Sequence, residues 1–214
     1  MRDELIARRC PISGRARPGA SESVPEERPA TAEQAWAALE EGNRRWAAGT
    51  SCRPRQDPEH RRRVAADQSP HAVVLSCIDS RVPPEVVFDA GLGDLLVVRT
   101  AGHTVDRLVT AAVQYGPQAL SAPLVVVLGH QRCGAVTAAA QALREGAALP
   151  GELSRIVAAL EPAYEGSGGD VEAMISAHVV RTVSLLRDDG LLRGRAAVIG
   201  ARYSLDTGLV TRLV

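Results

Sequence analysis

The sequence is poor in aromatic residues, in cysteine and in net charge. Only 3% of its 214 residues are aromatic, with a single phenylalanine, Phe88. A core for a chain of this length must then be built from Val, Leu, Ile and Ala. The four cysteines, Cys10, Cys52, Cys77 and Cys133, are too few and too scattered for a disulfide framework. That excludes a small disulfide-stapled secreted scaffold and favours a reducing, cytoplasmic setting, with Cys10 and Cys52 read as free thiols. Basic and acidic residues number 25 each. With no cationic excess, neither nucleic acid nor an anionic membrane surface is expected as a partner. No stretch approaches the roughly 18 apolar residues of a spanning helix. Arg8-Arg9 is followed by no apolar segment and is not read as an export signal.

What is present divides the chain in two. Residues 1–29 are rich in Arg, Pro, Gly, Ser and Glu, lack periodicity, and read as a flexible tail. Residues 30–214 read as one domain. Thr31 and Gln34 form a capping box for a first helix carrying Trp36, Leu39 and Trp46. Gly42 weakens that helix and Gly49 ends it. A polar helix is expected over 57–67. From residue 71 apolar, β-branched runs alternate with helical patterns. Strands are expected at 72–76, 94–99, 124–128, 196–200 and 209–213. Helices are expected near 84–89 and over 105–115, 134–144, 151–160 and 170–189, with a loop at 165–169. This alternation predicts an α/β fold, a mostly parallel central sheet with helices on both faces. The turn Asp206-Thr207-Gly208 makes the last, edge strand antiparallel.

Two of the strands run into chemistry. Ala72-Val73-Val74-Leu75 leads to Cys77-Ile78-Asp79-Ser80-Arg81. Leu124-Val125-Val126-Val127-Leu128 leads to His130-Gln131-Arg132-Cys133-Gly134. In open parallel sheets ligands bind at the carboxyl ends of strands. Two thiolates and an imidazole form a zinc set with one position open. His130 and Cys133, three apart, can face one side. Cys77 joins them only if the two strands are near neighbours. The plain reading of each cysteine alone is a buried core thiol. A redox pair is a further reading, weakened by the lack of Cys-x-x-Cys. Asp79 has two possible roles, as a fourth metal ligand or as a partner of Arg81 that leaves the fourth position to water. The bland alternative is a surface ion pair of little energetic weight.

Together these residues resemble the β-class carbonic anhydrases. The resemblance extends to Glu41-Gly42-Asn43-Arg44-Arg45-Trp46, Val82-Pro83-Pro84-Glu85, Gly91-Leu92-Gly93-Asp94, Val97-Val98-Arg99-Thr100-Ala101-Gly102 and Tyr203-Ser204-Leu205-Asp206-Thr207-Gly208. It covers about residues 31–212. It implies one zinc per chain on Cys77, His130 and Cys133, and reversible hydration of carbon dioxide to bicarbonate by zinc-bound hydroxide. It implies an Asp79–Arg81 dyad that gates the open zinc position. It implies substrate contacts from Gln68, Leu96, Ala101, Tyr115 and Gly134, with His103 a candidate proton shuttle. It implies a homodimer or homotetramer, and makes the first helix, with Trp36 and Trp46, the candidate arm around a partner.

Leu96 and Ala101 depart from the Phe and Val common in the family but keep the wall apolar. Val74 and Ser76 replace the Trp and Gly of bicarbonate-regulated members, so no allosteric bicarbonate pocket is expected. Remaining alternatives are hydrolysis of carbonyl sulfide or carbon disulfide on the same scaffold, a catalytically silent zinc sensor, and a thiol redox protein. His60 and His71 read as exposed, and His178 as packed or solvated.

Overall fold

Valine and leucine runs make the two innermost strands, β1 (Ala72–Cys77) and β3 (Leu124–His130), in which every residue is buried. Continuous burial on both faces is what the interior of a parallel sheet demands. The computed structural model describes residues 28–214. Its sheet has five strands, adding β2 (Leu95–Thr100), β4 (Ala197–Tyr203) and β5 (Val210–Arg212), in the order β2-β1-β3-β4-β5. The first four are parallel, and β5 pairs antiparallel with β4, Tyr203 opposite Val210.

Among the described residues there are seven helices: α1 (Ala32–Ala47), α2 (Pro58–Arg63), α3 (Pro84–Val87), α4 (Arg107–Ala119), α5 (Gly134–Glu145), α6 (Leu153–Ser167) and α7 (Val171–Arg187). Strand side chains alternate between the faces. Val74, Val126 and Leu128 pack on one side with Trp36, Leu39 and Phe88. Val73, Val125 and Val127 pack on the other with Val113 of α4 and Val179 and Val183 of α7. Each such side chain withdrawn from water contributes roughly 1.5–3 kcal/mol. Among the described residues no helix is long and apolar enough to cross a membrane.

Several expectations change in detail. The capping box at Thr31 is present in full. The polar helix expected over 57–67 is only α2, with Asp57 as its cap. The loop expected at 165–169 begins later, because α6 continues through Pro162 to Ser167 and stops at left-handed Gly168. His71 is buried, not exposed, with its backbone N–H bonded to the Asp94 carbonyl. Cys52 is disulfide-bonded, not a free thiol, and Cys10 lies outside the described residues. So does the tail assignment for residues 1–29, except at its end, where Arg28 donates to the carbonyls of Pro70, Leu120 and Ser121.

The first helix also packs within its own chain. Trp36 and Leu39 are buried in the chain's own core, and Trp46 Nε1 donates to Tyr203 Oη. This face of the helix packs on the chain's own core. Gly42 explains how the helix sits so close. A Cβ there would lie 1.8 Å from the Phe88 carbonyl oxygen. Gly42→Ala should destabilise the fold by about 3 kcal/mol, through overpacking against rigid backbone. Urea unfolding measures this, and an unchanged midpoint would contradict the close approach.

Candidate metal centre

The strand order places β1 between β2 and β3, and the connection leaving β1 for β2 runs opposite to the one leaving β3 for β4. A crevice opens at the carboxyl ends of β1 and β3, the switch point where ligands bind in such sheets. Cys77 ends β1 and His130 ends β3, and the two strands are direct neighbours. Cys133 stands at the cap position of α5, two residues past His130-Gln131. Cys77 Sγ, a His130 ring nitrogen and Cys133 Sγ all lie within 4.8 Å of one another, and all three residues are buried.

The donor set fits a metal ion. His130 Nδ1 donates to the Gln131 carbonyl at 3.0 Å, which leaves the Nε2 lone pair free. Nε2 is buried with no hydrogen-bond partner among the described residues. A buried acceptor without a donor is costly unless a cation meets it. The sulfurs are 3.8 Å apart. The Cys133 thiol, donating to Cys77, pulls the Cys77 pKa down to about 4, and the same bond pushes Cys133 up. One proton thus remains between two sulfurs, and a soft cation is its natural replacement. The Gly102 N–H also donates to Cys77 Sγ, at 3.3 Å.

Asp79 and Arg81 form a closed pair beside these ligands. Arg81 Nε donates to Asp79 Oδ1 at 2.9 Å and its terminal nitrogen to Oδ2 at 2.7 Å, with the Arg81 backbone N–H on Oδ1 as well. The guanidinium holds the Asp79 carboxyl down at a pKa of about 2. Asp79 Oδ2 remains 3.9 Å from His130 Nε2. Arg99, at the end of β2, donates to the carbonyls of Cys77 and Asp79 and so fixes the turn between them.

Of the sequence-predicted residues, one chain gathers Cys77, Asp79, Arg81, Ala101, His130, Cys133 and Gly134 at this crevice. Gln68 lies before β1, at the opposite end of a strand about 20 Å long. Leu96 is at the β2 end distant from Cys77, beside Gly116 of α4. Tyr115 is on α4 and 54% exposed. One chain does not bring these three to its own metal ligands.

His103 is not a shuttle. It is 1% exposed, neither ring nitrogen has a hydrogen-bond partner among the described residues, and burial drives its pKa well below the usual value. Residues not singled out from sequence also serve the centre. Glu172 accepts from the Arg132 N–H, and Asp206 binds both the Arg132 guanidinium and the Gln131 amide, bracing the His130–Cys133 turn. The left-handed φ of Arg132, +52°, is what this bracing sustains. The pairing of β2 with β1 would have revealed Arg99, since it stands opposite Ser76. Nothing local marks Glu172.

An α/β sheet with two thiols and an imidazole converging at its switch point is the arrangement of a protein that could hold a metal ion there. The family model for carbonic anhydrase matches residues 72–210. Carbonic anhydrase 2 of Mycobacterium tuberculosis is 41% identical over 184 residues, covering 81% of this chain and 89% of that protein. The carbonic anhydrase of Mycolicibacterium smegmatis is 41% identical over 186 residues, covering 82% and 90%. Among solved structures, the Coccomyxa β-carbonic anhydrase in complex with acetazolamide aligns with a TM-score of 0.64 at 25% identity, over 81% of this chain and 83% of that one. A tetrameric β-carbonic anhydrase of Sordaria macrospora has the same fold, with a TM-score of 0.67 at 21% identity over 81% and 93%. The chain belongs to the β-class carbonic anhydrase family.

Proposed function

We propose that this chain catalyses the reversible hydration of carbon dioxide to bicarbonate and a proton, with zinc held by Cys77, His130 and Cys133. The observation that carries this reading is the buried sulfur–imidazole–sulfur trio with an ionised Asp79 carboxylate locked beside it. Zinc, when bound, supplies the Lewis acidity that makes water a nucleophile at moderate pH. Asp79 Oδ2 accepts the hydrogen bond of the attacking water and orients it, while Arg81 keeps that carboxylate turned away from the fourth ligand place. Ala101 supplies apolar wall for carbon dioxide. The start of α5 at Gly134 favours the bicarbonate anion through the positive end of the helix dipole. A Cβ at Gly134 would meet nothing within 4 Å, which supports open space for substrate there.

A homodimer, or a pair of dimers, completes the site in this reading. Gln68, Leu96 and Tyr115 then serve the partner's centre, Gln68 donating to a substrate oxygen and the other two extending the apolar wall. The even half-burial of β2 at the sheet edge supports a covering partner. We further propose that no allosteric bicarbonate pocket exists. Val74 is fully buried in the core, and Arg99 already serves two carbonyls. An anion beside Val74 and Arg99 in a bicarbonate-soaked crystal would overturn this.

Activity should rise on the alkaline side. Two thiolates cancel the double charge of the ion, whereas a three-histidine site keeps it and lowers the pKa of water to about 7. Asp79 does not produce this rise. Its folded pKa is depressed to about 2, so it stays ionised at every pH above that. Stopped-flow hydration across roughly pH 6 to 9, with bound zinc measured in the same sample, checks the proposal. Near one zinc per chain with a rate rising through this range supports it; a flat profile contradicts it. Full zinc without carbon dioxide hydration, but with turnover of carbonyl sulfide or carbon disulfide, would assign the centre to the sulfur substrates.

A further inference from the structure

A pair of buried histidines lies behind the Cys77 ligand and is not used by the chemistry above. The rings of His103 and His178 stack with centroids 4.5 Å apart and planes tilted by 37°. They are 1% and 5% exposed, and their ring nitrogens make no hydrogen bond to the described residues. Burying two imidazoles in this way is unfavourable, so the packing around them must be gaining something.

The backbone at His103 says what. Ala101–His103 follow β2 directly as a short 3₁₀ turn, with consecutive left-handed φ values of +63° at Gly102 and +46° at His103. Glycine adopts this freely, but a histidine there is strained and persists only if its surroundings hold it. The surroundings are His178 of α7, whose ring covers that of His103, and Gly129 of β3, where a Cβ would stand 3.6 Å from His103 Cε1. His178 also lies near the carbonyls of Gly102 and His103, which act on its titration. This turn is the one that sends the Gly102 N–H to Cys77 Sγ at 3.3 Å.

We propose that His103 and His178 are positioning residues for the Cys77 ligand, their stacked rings holding the Gly102–His103 turn so that its N–H stays aimed at the sulfur. The inference rests on Cys77 being a metal ligand. An N–H bonded to a ligand sulfur orients it and offsets its charge, as outer-shell partners of metal ligands do. The ring shape of His178, rather than its nitrogens, carries the effect. Phe at position 178 should therefore serve and Ala should not.

The test is the rate at which a chelator strips zinc from the full-length holoenzyme. His178→Ala should lose zinc about tenfold faster than the parent, the lower end of outer-shell effects. His178→Phe should return close to the parental rate. Leu186→Ala, also buried on α7 but packed away from the turn, should lower the urea midpoint while releasing zinc at the parental rate. His103→Asn tolerates the left-handed backbone but lacks the ring. It should release zinc faster too, and carries the test if His178→Ala does not fold. Parental release from both histidine variants, equal acceleration by Leu186→Ala, or a His178→Phe as leaky as Ala would each overturn the proposal. A parent protein that binds no zinc at all is a different result, and removes the metal reading itself.

Discussion

Cys77→Ser is expected to lose the metal. Bound zinc should fall from about one per chain to a small fraction of that, and carbon dioxide hydration should fall to background with it. Cys77 is one of three buried donors within 4.8 Å of each other among the described residues, and its replacement removes a soft ligand that a hydroxyl does not match. Changes merely behind a metal ligand cost about 10–100-fold in affinity, so deleting a ligand should cost at least about 100-fold. The loss should also appear as stability. An ion present at about 1,000 times its Kd stabilises the folded state by about 4 kcal/mol. For a domain of this size that is roughly 8–16 °C in Tm. Metal analysis, stopped-flow hydration and a melting curve on the same preparation read all three. A Cys77→Ser protein with full zinc and parental rate would remove the assignment of the centre.

Asp79→Asn is expected to keep zinc and lose turnover, by about 100-fold or more. Asn preserves shape but replaces the carboxylate that Arg81 grips through two oxygens. Its neutral amide oxygen accepts a hydrogen bond more weakly than an ionised carboxylate does, and removing one such preorganised partner costs about 10²–10³. Arg81→Ala should also be slow, for a different reason. Asp79 Oδ2 already stands 3.9 Å from His130 Nε2, and without Arg81 it is free to take the fourth ligand place. If the pair acts as a unit, the double variant should be scarcely slower than either single one. Full multiplication of the two losses would show that the residues act independently, and an Asp79→Asn enzyme at parental rate would leave Asp79 without a catalytic part.

How much of this was readable in the residues varies with range. Cys77, His130 and Cys133 were legible because each sits within a few residues of an apolar strand end, and strand ends are local features. The closure of Asp79 on Arg81 was also within reach, being a contact between residues two apart. Gln68, Leu96 and Tyr115 carried family meaning but no geometry, and one chain places them away from its own ligands. The buried stack of His103 on His178 was invisible, because the two residues come from separate elements.

The sequence by itself determined the architecture and pointed to the trio that could hold a metal. β-branched runs interleaved with amphipathic segments leave few ways to bury apolar surface other than a parallel sheet between helices. The turn at Asp206–Gly208 sets the antiparallel edge. Only the tertiary structure decided that β1 and β3 are neighbours, and this neighbour relation brings Cys77 to His130. It alone decided that α1 packs closely against the end of α3, where a glycine at 42 admits the Phe88 carbonyl. It alone set Gly102, Glu172, Arg99 and Asp206 around the centre. Periodicity records which face of an element is apolar, whereas the meeting of distant backbone groups depends on how the faces pack.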